Sequence, residues 1–202
     1  MKKNNKGFSL VELIIVIAIM AILAGAIAPA LIKYIDKSRR SNDVTSAKAI
    51  KTAVETALGT ESYYELLTTG TADAVITVTP GKSTSSGSGG SDAVSISVTS
   101  PQTDTDGTIN GKTVEALTTA CEKSIATTIG EKTPKLKYRK NATDPKGKTG
   151  ANDVPTKFVA TVTKGGTVTV YIASNSANFT SADADNTGKA WEISPNMCEE
   201  YQ

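Results

Sequence analysis

The chain has no histidine, and among its 202 residues there are only two cysteines and one tryptophan. Without an imidazole, histidine-based triads and histidine metal sites are excluded outright. Cys121 and Cys198 stand far apart with no base near either in sequence, so no thiol nucleophile is indicated. No catalytic residue, metal site or cofactor is therefore assigned, and an enzyme is not expected. Charge of one sign is also lacking: 22 basic against 20 acidic residues leave a net +2, and the basic residues form no long patch. That balance argues against a nucleic-acid partner. The two cysteines read as a disulfide if they face an oxidising exterior, or otherwise as two separate buried thiols.

Apolar residues are present but unevenly spread. They crowd the stretch from Leu10 to Ile32, whereas much of the remainder is rich in Thr, Ser, Gly, Asn and Lys. From Leu13 to Ile32 there are 20 consecutive residues without a charge. As a helix this run is about 30 Å long, enough to cross the hydrocarbon core of a bilayer. Lys2, Lys3 and Lys6 precede it with no acid among them. The positive-inside rule then places Met1 in the cytoplasm and everything after Lys33 outside. A cleaved secretory signal fits poorly, because the apolar run is long and Pro29 would follow the Ala26-Ile27-Ala28 site. A plain anchor leaves Glu12 unexplained, since a carboxylate in a membrane helix costs up to about 2.5–3.5 kcal/mol at the bilayer centre. A buried core helix of a soluble protein is a poorer reading still, given the length of the uncharged run.

The segment Lys6-Gly7-Phe8-Ser9-Leu10-Val11-Glu12-Leu13 resembles the prepilin signature of type IV pilins and pseudopilins. A short basic leader ends in Gly7, Phe8 would be the first mature residue, Glu12 the fifth, and an uninterrupted apolar helix follows. Pro29 falls where these pilins commonly carry a proline. The resemblance covers roughly residues 1 to 58. It implies cleavage between Gly7 and Phe8 by a membrane-embedded prepilin peptidase, N-methylation of Phe8, and retention of the apolar helix. Removal of the three leader lysines leaves 19 basic (22 − 3) against 20 acidic side chains.

By the same resemblance, Glu12 is expected to pair with the cationic amino terminus of Phe8 on a neighbouring subunit, which would fix the axial stagger of a filament. Ala18, Ala21, Gly25 and Ala28 offer a face of small side chains for close helix approach. Between Gly25 and Pro29 a kink or local melting is expected, because proline removes a helical hydrogen bond. The implied function is a structural one, a subunit of a helical surface filament serving adhesion, twitching motility, aggregation or DNA uptake. Implied partners are other copies of the chain, the peptidase, the membrane before assembly, minor pilins, and an assembly machinery comprising a platform protein and, indirectly, an ATPase. A minor pilin or secretion pseudopilin shares this N-terminus, and a non-polymerising membrane-tethered binding module belongs to a different class.

The expected fold is α+β, a long N-terminal helix packed against a head that holds an antiparallel sheet and a second helix. Its parts are a leader at 1–7, an apolar helix at 8–32, an amphipathic continuation at 33–58 and a globular head at 59–202. Val44, Ala47, Ile50, Val54 and Ala57 recur at helical spacing, with Gly59 as a stop. Tyr63 to Leu67 reads as a helical turn and Ala74 to Val78 as a strand. Lys82 to Ser91 reads as a Ser/Gly loop, and Ala93 to Thr99 as a half-buried strand completing a hairpin. Val114, Leu117, Cys121, Ile125 and Ile129 mark a second helix ending at Gly130. A strand at 136–139, a polar loop at 141–153, a hairpin around Lys164-Gly165-Gly166 and a last strand at 189–193 carrying Trp191 complete the head. Many pilins staple a C-terminal loop by a disulfide. A Cys121–Cys198 bridge would close 77 residues (198 − 121), on the order of 4 kcal/mol by loop entropy.

Overall fold

The computed structural model describes residues 9–81, 94–102, 107–130, 134, 136–137, 155–174, 190–198 and 201. Helix α1 runs from Leu10 to Leu58, two residues shorter at its start than expected. The chain divides into two compact units, 1–39 and 40–202, with the boundary inside this helix.

In the first unit every large apolar side chain from Leu10 to Ile32 is exposed, at 46–73%. The exposure goes all round the helix, so this segment is not the core helix of a soluble domain; it requires lipid or neighbouring helices to cover it. The helix of the single subunit continues through Gly25 and Pro29 without interruption. Pro29 offers no N–H to the carbonyl of Gly25, four residues earlier, but the bonds on either side hold the turn.

In the second unit Val44, Ala47, Ile50, Val54 and Ala57 are buried as their periodicity predicts, joined by Ala53 and by a charged residue, Asp43. Helix α2 (Glu61–Thr68) follows Gly59 and buries Leu66 and Leu67. Five strands then form one sheet: β1 (Ala74–Thr79), β2 (Ser95–Thr99), β5 (Pro155–Val162), β6 (Val168–Ser174) and β7 (Ala190–Ser194). Their spatial order is β2-β1-β5-β6-β7, antiparallel throughout. Alternation puts Ile76, Val78, Phe158, Ala160, Val170, Ile172, Trp191 and Ile193 into one apolar cluster with the buried residues of α1. This is the expected α+β arrangement, helix laid on sheet. The opposite face carries a smaller cluster of Val75, Val159 and Ala173.

Two short strands, β3 (Thr108–Ile109) and β4 (Lys112–Thr113), form a hairpin that the sequence reading did not include. Its turn is Asn110-Gly111, both at positive φ (50° and 76°). Asn-Gly is the strongest short hairpin signal, and it was masked by the absence of alternating apolar residues beside it. Helix α3 (Val114–Ile129) starts on Thr113, whose hydroxyl accepts the Ala116 N–H at 3.3 Å, and it buries all five predicted residues. The hairpin at Lys164-Gly165-Gly166 is confirmed, closed by Gly166 N–H to the Thr163 carbonyl at 2.8 Å.

One expectation needs correction. Leu136 and Lys137 are not in a strand. Leu136 is buried, and the Lys137 N–H donates to the Asp43 carboxylate at 2.7 Å instead of to a strand partner. Cys121 and Cys198 are not joined to each other in this structure. Cys121 is fully buried and packs as a small apolar side chain, while Cys198 lies half-buried against the same cluster. The Ser/Gly tract at 82–91, the polar loop at 141–153 and residues 138–139 lie outside the described residues.

Candidate functional site

The candidate site is the start of α1. Ser9 is its N-cap: it lies just outside the helix, and its carbonyl accepts the Leu13 N–H at 3.2 Å. The side chain of Glu12 turns back so that Oε2 accepts the Ser9 N–H at 3.0 Å. Ser-x-x-Glu is the spacing of a capping box, in which the acid at the third helical position satisfies an orphan backbone donor. The sequence reading assigned Glu12 only an intersubunit role. The signal for this second role was present in Ser9 and Glu12 themselves. Glu12 thus has a partner within its own chain, and it also lies in the first turn, where the helix dipole favours an anion.

Gly7 and Phe8 lie outside the described residues. Of the other predicted residues, Glu12, Gly25 and Pro29 share one helix, with 13 residues from Glu12 to Gly25 and four more to Pro29. A Cβ added at Gly25 would meet nothing within 4 Å. Within the subunit, therefore, neither space nor backbone conformation requires glycine there.

Beyond Ile32 the character of the helix changes abruptly. Lys33, Tyr34, Lys37 and Arg39 are all exposed. With Arg40, four basic residues follow the apolar run, against the three lysines that precede it.

In the second unit two acids are committed to structure. Asp43 holds Lys137, and Glu122 on α3 accepts the Val98 N–H at 2.8 Å, closing part of the free edge of β2. Burial, and then the Glu122 charge, pushes the Cys121 thiol up to about 12. It is therefore a protonated, unreactive group near neutral pH.

Comparison with known proteins bears on this first segment. The family described as "Prokaryotic N-terminal methylation motif" matches residues 2–28. Fimbrial protein Q of Moraxella bovis is 53% identical over 54 residues, 27% of this chain and 34% of its own length. Type IV major fimbrial protein FimA of Dichelobacter nodosus is 43% identical over 58 residues, 29% of this chain and 37% of its own. Type IV major pilin protein PilA of Myxococcus xanthus is 40% identical over 61 residues, 30% of this chain and 28% of its own. The chain thus spans about a third of the length of the curated relatives it matches. No solved structure matches. The N-terminal segment carries the methylation motif and an apolar helix, and over this stretch it is similar to type IV fimbrial and pilin proteins.

Proposed function

We propose that this chain is a structural subunit of a type IV pilus, processed at its N-terminus and polymerised into a helical filament on the cell surface. The carrying observation is the all-round exposed apolar helix that begins within the methylation motif, with an acid in its first turn. Cleavage between Gly7 and Phe8 spares that helix, and methylation leaves Phe8 with a basic amine. Before assembly the helix is a single membrane span with its amino terminus in the cytoplasm, the side on which the peptidase of this family cuts. In the filament the same helix lies among its copies, where Glu12 gives up the Ser9 N–H and pairs with the Phe8 amine of a neighbour. That exchange is favoured because a buried carboxylate beside a cation is better compensated than one bonded to a single neutral amide. Adhesion, motility, aggregation and DNA uptake are the activities such a filament would serve, with minor pilins and the assembly machinery as partners.

The test is N-terminal analysis of the mature protein together with electron microscopy of sheared surface filaments. An N-methylated Phe8 in a filament made mainly of this chain is the expected result. A mature chain that begins downstream of Pro29, or that retains Met1, would refute the proposal.

A further inference from the structure

We infer that Lys33, Lys37 and Arg39 form a basic collar that binds anionic phospholipid headgroups at the outer end of the apolar span. The inference rests on the proposed membrane span, and it assigns a lipid class to the segment that follows it.

All three side chains are exposed, and none of them is held in an ion pair among the described residues. Between Ile32 and Asp43 only one acid, Asp36, interrupts the basic residues. Position along the axis is the first argument. At about 1.5 Å per residue, Lys33 to Arg39 lie roughly 2–10 Å beyond Ile32, and the polar layer on each side of the hydrocarbon core is roughly 5–8 Å deep. Long basic side chains reach across the remainder.

Direction is the second argument. At about 100° per residue, Lys37 stands about 40° round the helix from Lys33 and Arg39 about 240°. Tyr34, 75% exposed, lies between them at about 100°. A protein partner would address one sector of the helix, whereas a charge that points in several directions suits a fluid ring of headgroups. Tyr34 has the apolar ring and polar tip that favour this depth. Each basic side chain near an anionic surface contributes roughly fivefold in affinity, so three together give on the order of 100-fold at low ionic strength.

The experiment uses the full chain. Insertion into phosphatidylcholine vesicles is measured first, by flotation and resistance to alkaline extraction. Enrichment of phosphatidylglycerol over phosphatidylcholine around the protein is then measured by native mass spectrometry from mixed micelles. The wild-type chain is compared with Lys33→Gln/Lys37→Gln/Arg39→Gln and with a charge-matched control, Lys48→Gln/Lys123→Gln/Lys164→Gln. The expected result is enrichment that falls at least roughly tenfold in the collar variant, persists in the control and weakens with salt. Inorganic phosphate is expected to compete no better than chloride at equal ionic strength. Equal enrichment in the wild-type and collar variants overturns the inference while leaving the span intact. Unchanged enrichment with loss of filaments also overturns it, by showing that the collar meets an acidic protein surface. Failure of the wild-type chain to insert overturns the span and the collar together.

Discussion

Substitution of Glu12 separates its two roles. Within the subunit its carboxylate accepts the Ser9 N–H at 3.0 Å, and loss of such a capping bond costs about 0.5–2 kcal/mol of helix stability. Glutamine fills the same place in a capping box, so Glu12→Gln keeps the cap and removes only the charge. Glu12→Val removes both. In the proposed filament, loss of the charge leaves the Phe8 amine of the neighbour unpaired among apolar helices. Breaking one side of a buried pair costs about 3–5 kcal/mol, roughly 100- to 1,000-fold or more in the association constant for each added subunit. Both variants are therefore expected to insert into the membrane at wild-type levels and to yield few or no filaments. The assay is the amount of sheared surface filament, by immunoblot and electron microscopy, set against the amount of subunit in the membrane. Wild-type filament yield from Glu12→Gln would show that Glu12 acts as a helix cap alone, and the pairing argument would fall.

Three further outcomes test the head. Asp43→Ala deprives the Lys137 N–H of a charged acceptor at 2.7 Å, a loss of about 1.5–3 kcal/mol or roughly 3–12 °C in Tm, followed by the fluorescence of the single, fully buried Trp191. A Tm within 1 °C of wild type would mean that this bond contributes nothing. Gly70→Ala would bring a Cβ to 2.4 Å from the Pro101 carbonyl oxygen at a φ of +153°, so destabilisation of at least about 1–3 kcal/mol is expected in urea; an unchanged midpoint contradicts the close approach. Because burial raises the Cys121 thiol from 9.0 to about 12, the folded state holds its proton more tightly than the unfolded chain. That contribution is fully present below pH 9 and lost as the pH rises towards 12, so Cys121→Ala should show a shallower alkaline loss of stability than wild type. Parallel curves for the two proteins would argue against a buried free thiol.

Legibility differed from element to element. Helix α3 and the hairpin around Gly165 were readable because each repeats one local rule, a spacing of three and four or an alternation flanking glycine. The burial of Asp43 could not be read from the sequence. Nothing near it in sequence indicates that its carboxylate meets a backbone N–H from residue 137, which is 94 positions away. Leu136 and Lys137 depart from the expected strand for the same reason, since they are anchored to α1 rather than to a sheet edge. The Asn110-Gly111 turn, by contrast, was available from local chemistry and was passed over.

At the candidate site, the motif from Gly7 to Glu12 and the apolar run behind it could be read directly, because cleavage, span length and a lone acid in a hydrocarbon setting all depend on residue type at short range. The Ser9–Glu12 capping bond also belongs to that local class, although only the structure drew it out.

The order of residues alone determined that the chain begins with a greasy helix bearing one acid, and that an amphipathic continuation, a second helix and several strands follow. Local sterics and hydrophobic period are encoded within a few residues, so they can be read one segment at a time. The strand order β2-β1-β5-β6-β7 and the burial of Asp43 were decided only by tertiary structure. Each depends on which distant groups arrive at the same place, and that is settled by the packing of the whole core.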